Sequence, residues 1–141
     1  MVEVQIREAA VSDIPEVIDM WWSLVESQEM AKESPPKTEN NSFESLRIIT
    51  QKIKSREIVL AIDSGKFVGM VSIRELRVNM EGVLPTWTLS DMWVDFNYRR
   101  HGIGSQLVKY CELLVQKLGG KRLWLNVHSI NQGAQEFYQT L

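Results

Sequence analysis

The passage that most restricts what this chain can fold into runs from Thr86 to Val127, where a strand pattern breaks at a basic, glycine-rich turn and a helical pattern takes over. Thr86–Val94 reads as a strand. Ile103, Leu107, Cys111, Leu114, Val115 and Leu118 then recur at helical spacing as a buried stripe, and Gly119-Gly120 stops it. Arg122–Val127 reads as the next strand. A strand, a helix and a strand in that order form a crossover, which requires parallel neighbours and a helix laid on one face of a sheet.

The preceding half supplies the rest of that sheet. Val2, Val4 and Ile6 alternate with Glu3, Gln5 and Arg7, the period of a half-buried strand. Ser12 offers a helix N-cap with Asp13 and Pro15 in the first turn, and Ile14, Val17, Ile18, Trp21, Leu24 and Val25 follow at helical spacing. Trp21 and Trp22 cannot share one face, so one ring reaches a partner element or a cleft. Residues 31–41 read as a loop around Pro35-Pro36. Ser42 to Ser55 fits a second helix with Phe43, Leu46, Ile49 and Ile53 on one side. Glu57–Ile62 and Phe67–Val78 are strands joined by a hairpin turn at Asp63–Lys66, and residues 79–85 are a loop. Ser129 and Gln132 have capping-box spacing for a last helix. The order is β-α-α-β-β-β-α-β-α, an α/β fold with a mixed central sheet.

Bulk properties narrow the function. A chain of 141 residues suits one domain. A net charge of -2 gives no general attraction to nucleic acid or anionic membrane, so a polyanion site must be local. The single cysteine, Cys111, excludes an internal disulfide and a cysteine-rich zinc site, and its helical position suits a core thiol. With no signal peptide and no apolar run long enough to span a bilayer, the expectation is a cytoplasmic protein.

The turn itself invites an anion. A helix start leaves N–H groups without partners and carries partial positive charge. Gly102 and Gly104 let a bulky anion approach the backbone, Arg99, Arg100 and His101 add positive charge, and Ser105 adds a hydroxyl. The spacing is neither the dinucleotide fingerprint nor a Walker loop. The same residues would also serve a plain turn with solvated basic side chains.

Arg99-x-x-Gly102-x-Gly104 resembles the acyl-CoA signature of the GNAT-type N-acetyltransferase superfamily, Arg/Gln-x-x-Gly-x-Gly/Ala. Val94, Tyr98 and Ile103 flank it as in that family. Asn131, Ala134, Phe137 and Tyr138 match its later motif, and Ile6-Arg7-x-Ala9 with Asp13 matches its opening. The resemblance implies a GNAT (acyl-CoA N-acyltransferase) fold over residues 1–141 as a single domain. Acceptor-side helices would occupy 12–55 and an acetyl-CoA-binding core 86–141. The central sheet would be splayed between strands 4 and 5.

It also implies roles. Backbone amides of Arg99, Arg100, His101, Gly102, Gly104 and Ser105 would hold the pyrophosphate of acetyl-CoA. Main-chain groups of Met92 and Val94 would pair with the pantetheine arm, with the Val94 N–H at the thioester oxygen. Tyr138 would be the general acid for the leaving thiolate, with Asn131 two turns earlier on the same helix face. Asp91 is the first candidate to touch the amine, directly or through water, and His128 is another candidate base. Ser90-Asp-Met-Trp-Val94 resembles the Glu-Asp-x-x-Val of diamine and some amino-sugar acetyltransferases, with Ser90 where those have glutamate. The strand-end alternative for Asp91 is a carboxylate paired with an arginine. Trp21, Trp22, Glu26, Glu29 and the 31–41 loop would line the substrate pocket.

The implied activity is transfer of acetyl from acetyl-CoA directly to a primary amine, with no metal. The alternative is an acyl-CoA-binding or interaction module without turnover. Family members continue past the last helix with further strands, which are absent after Gln139-Thr-Leu141. Either the sequence is cut short or a partner subunit, as in a homodimer, covers the sheet edge. Nucleic acid and membrane are not expected as partners.

Overall fold

Helices cover both faces of β2 (Ile58–Asp63), which explains why its sequence, IVLAID, is nearly unbroken apolar rather than alternating. The computed structural model describes residues 3–27, 39–76, 86–118 and 122–125. β1 (Gln5–Glu8), β2, β3 (Lys66–Leu76), β4 (Thr86–Val94) and β5 (Arg122–Leu125) form one sheet in the order β1-β2-β3-β4-β5. The first three pairings are antiparallel and β4–β5 is parallel, so the sheet is mixed as expected. The described β4–β5 ladder runs from Thr86↔Arg122 to Leu89↔Leu125. The expected splay, the last helix and the end of the fifth strand involve residues outside the described ones.

One face of the sheet presents Val59, Ala61, Val71, Ile73 and Leu89 to α3 (Ile103–Lys117), which answers with Ile103, Leu107, Val108, Cys111 and Val115. The other presents Ile58, Leu60, Ile62 and Met70 to Val17, Met20 and Leu24 of α1 (Ile14–Ser27) and Ile49 and Ile53 of α2 (Glu39–Lys54). Gly69 lets α3 seat closely: a Cβ there would lie 3.2 Å from the Trp93 carbonyl oxygen and 3.4 Å from Ile103 and Leu107. The hairpin between β2 and β3 turns through Ser64 and Gly65, both at positive φ, as a two-residue turn that follows strand twist requires.

Several local expectations are corrected. Ser12 caps nothing; it lies in a 3-10 turn, Val11–Asp13, and Asp13 does the capping, accepting the Ala10 N–H at 2.7 Å. The second helix begins at Glu39, inside the expected loop. Among its described side chains the buried ones are Ile49, Ile53 and Ser45, while Phe43 is 67% and Leu46 42% exposed. Leu118 is exposed at the C-cap of α3, and Val108, outside the expected stripe, is buried near its start. Of the tryptophan pair, Trp22 is buried and Trp21 half-buried, edge to face at 5.0 Å.

Candidate functional site

The turn after β4 is built by a chain of short-range bonds. Asp95 opens a 3-10 turn, Phe96–Tyr98, by accepting the Asn97 N–H at 2.9 Å, and its own N–H donates to Val68 at 2.8 Å. Arg100 and Gly102 then adopt positive φ, and Gly102 becomes the N-cap of α3 in the left-handed region. No side chain caps that helix start. The first internal bond is donated by Gln106 to the Gly102 carbonyl at 3.1 Å, so the N–H groups of Ile103, Gly104 and Ser105 precede the helical ladder. These amides, at the positive end of a long helix, fit a phosphate group.

The basic side chains are unequal. Arg99 turns back on the strand: its Nε donates to the Val94 carbonyl at 3.0 Å and its guanidinium lies 5.6 Å from the Phe96 ring centroid. Arg100 and His101 are exposed beside the helix start. The hairpin latches the turn from the other side. Lys66 lies 5.2 Å from the Tyr98 ring centroid and 4.0 Å from the Asp95 carboxylate, and a hydrogen bond to Asp63 raises the Tyr98 phenol pKa.

Within β4 the sequence hides a bulge. Met70 pairs with Trp93 but Ser72 pairs with Ser90, so Asp91 and Met92 stand opposite Val71 alone. Asp91 is the extra residue, at φ 51. Aspartate tolerates this left-handed conformation better than most residues. The bulge switches strand phase: Trp87 and Leu89 pack on the α3 side before it, and Met92 and Val94 do so after it, with Trp93 on the other face. Because the Asp95 N–H points to β3, the Val94 N–H and carbonyl point away from β3, towards the β5 edge. By alternation Met92 shares that orientation.

The Asp91 carboxylate makes no ion pair or hydrogen bond among the described residues, so the arginine-paired alternative does not hold there. The structure thus brings together Asp91, Met92, Val94, Arg99, Arg100, His101, Gly102, Gly104 and Ser105 along one strand, turn and helix start. Asn131, Tyr138 and His128 lie outside the described residues, as does Glu29. Cys111 is fully buried, and burial pushes its thiol up to about 12, the state of a core sulfur. Among the described residues no group of three His, Cys, Asp or Glu could hold a metal ion, and no helix is long and apolar enough to cross a membrane.

A cavity of about 370 Å³ opens on the face of β4 opposite α3, lined by Glu16, Asp19, Met20, Ser23, Gly65, Phe67 and Trp93. It uses α1 from Glu16 to Ser23 and the hairpin rather than Trp21, Trp22 and Glu26. Sequence reading missed it because residues of the hairpin are brought to α1 only by the sheet. The one legible signal is Glu16 and Asp19, acidic residues three apart on a helix.

The profile of the Acetyltransferase (GNAT) family matches residues 18–141. A search of curated protein sequences returned no match. Among solved structures, the chain is similar to a transcriptional regulator from Bacillus halodurans C-125, with TM-score 0.80 and 19% identity over 98% of this chain and 91% of that one. It is similar to a ribosomal-protein-alanine N-acetyltransferase from Brucella melitensis biovar Abortus 2308, with TM-score 0.76 and 17% identity over 99% and 90%. A predicted acetyltransferase with acetyl-CoA from Clostridium acetobutylicum gives TM-score 0.72 and 13% identity over 96% and 88%. At these identities the likeness is one of fold.

Proposed function

The chain belongs to the acetyltransferase (GNAT) family, and from that premise we propose that it moves an acetyl group from acetyl-CoA directly to a primary amine. The observation that carries the reading is the uncapped start of α3 behind a left-handed Gly102. The amides of Arg100, His101, Gly102, Gly104 and Ser105 hold the pyrophosphate, and the long α3 dipole favours its charge. The Arg99 amide, expected among them, instead donates to the Phe96 carbonyl at 3.4 Å. Arg99 acts chiefly through structure, fixing the end of β4, while Arg100 and His101 remain available to nucleotide phosphates.

When bound, acetyl-CoA supplies an activated acyl group. Main-chain groups of Met92 and Val94 align it, and the Val94 N–H donates to the thioester oxygen as negative charge develops there. The bulge supports this role by setting which edge the Val94 amide faces. The amine nitrogen bonds to the carbonyl carbon, the carbon–sulfur bond breaks, the nitrogen loses a proton and the thiolate gains one. Asp91 meets the amine, directly or through water, and Tyr138 donates to the departing sulfur beside Asn131.

The test is calorimetry with coenzyme A alongside thiol release from acetyl-CoA over a panel of amines. Gly102→Glu is expected to abolish coenzyme binding, because a carboxylate would occupy the phosphate position. Tyr138→Phe is expected to retain binding and lose most of the rate. Unaltered binding by Gly102→Glu would overturn the phosphate assignment, and binding with no turnover on any amine would leave a coenzyme-binding module.

A further inference from the structure

Resting on the assignment of the pyrophosphate to the turn before α3, we infer that Lys66, on the β2–β3 hairpin, is a positioning residue for coenzyme binding. It grips Asp95 and the Tyr98 ring, and so holds in place the turn whose amides meet the phosphates.

The turn has few ties of its own. The Asp95 N–H reaches the Val68 carbonyl of β3 at 2.8 Å, and beyond it the backbone bonds are local. Tyr98 donates to the Asp95 carbonyl at 2.8 Å and Arg99 to the Phe96 carbonyl at 3.4 Å. From Phe96 to His101 no main-chain group bonds to another element among the described residues. Arg100 stands at φ 64, a conformation that a residue with a Cβ adopts at a cost. Amides that had to be ordered around the ligand would bind it more weakly than amides already in place.

Lys66 supplies the missing tie. Its ammonium lies 4.0 Å from Asp95 Oδ2, while Oδ1 of the same carboxylate accepts the Asn97 N–H at 2.9 Å. One side chain thus opens the 3-10 turn and fastens it to the hairpin. The ammonium also sits 5.2 Å from the centroid of the Tyr98 ring, which rests on the core beneath α3. Asp63, opposite Lys66 in the hairpin register, acts on the Tyr98 phenol and raises its pKa. Lys66 is more than half exposed, so its contribution is a few-fold in affinity.

Charge and positioning predict opposite signs at Asp95. Coenzyme A is a polyanion, so a through-space effect would weaken its binding in Lys66→Met and strengthen it in Asp95→Asn. Asparagine keeps the cap on the Asn97 N–H and loses only the tie to Lys66. Positioning instead weakens coenzyme A binding in both, by about three- to fivefold in calorimetry at physiological salt. The double variant is expected to lie within about twofold of the weaker single one, and Lys66→Arg within about twofold of the natural protein. In acetyl transfer the KM for acetyl-CoA rises by the same factor while kcat stays within about twofold, since no reacting group is touched. Amide hydrogen exchange across residues 95–105 of the coenzyme-free protein quickens in both single variants while their melting curves are kept. Coenzyme A binding by Asp95→Asn as tight as that of the natural protein, or tighter, overturns the inference, as does unchanged exchange across 95–105. If the natural protein binds no coenzyme A, the phosphate assignment fails and the inference with it; if it binds and both variants bind equally well, the positioning role alone is struck.

Discussion

Asp13 accepts two hydrogen bonds from the Arg7 guanidinium, at 2.7 and 3.0 Å, and a third from the Ala10 amide, and so ties β1 to the start of α1. The Arg7 bonds hold its carboxyl below the usual range despite burial. A lowered folded pKa contributes stability that is present above the unfolded value near 3.8 and is lost as pH falls through the folded value. Asp13→Asn is therefore expected to cost about 2 kcal/mol at pH 7, read from denaturant melts, and to flatten the fall in stability below about pH 4. Gly102 is a different kind of residue, needed for its backbone. Gly102→Ala is expected to cost about 1 kcal/mol for the left-handed φ and to weaken coenzyme binding measured by calorimetry. Of these two positions, the glycine was legible from its place before a helical stripe. The work of Asp13 was assigned to Ser12, because two adjacent capping residues look alike until the Arg7 partner is in place.

At the scale of elements, β4 carries the most information. Its bulge changes which residues face α3 and which face the cavity, and without Asp91 the alternation from Ser90 through Met92 and Trp93 would be regular. Deleting Asp91 is therefore expected to leave a folded protein with near-native circular dichroism and to abolish acetyl transfer, since the bulge and the carboxylate go together. Asp91→Val should instead destabilise by about 1–2 kcal/mol, because a β-branched side chain resists positive φ. The phase switch was in the sequence: Trp87 and Leu89 sit at odd positions, Met92 and Val94 at even ones. It was hidden because Trp93 is apolar too, so the run reads as continuous. Helix α2 shows the opposite failure. Phe43 and Leu46 match an inward stripe by spacing, yet the sheet reaches only as far as Ile49 and Ile53 among the described core residues.

For the whole molecule, the mixed sheet, an antiparallel run closed by one parallel pair, followed from periodicity and from the crossover rule, while the core on both faces and the cavity beside α1 did not, because Glu16, Phe67 and Trp93 meet only after the sheet has formed. Coenzyme binding to the folded state alone is expected to add about 2.7 kcal/mol at a concentration a hundred times its Kd, raising Tm by roughly 5–10 °C in a thermal scan. The Gly102→Glu protein should show no such rise. Cys111 bears on every such measurement. The chain has one sulfhydryl, and it is sealed in the core with its ionisation displaced far above neutral pH. Thiol-specific dyes should therefore ignore the native protein, and a cysteine introduced at an exposed site such as Glu16 or Phe43 can carry a fluorophore or spin probe as a unique reporter without first removing the natural one.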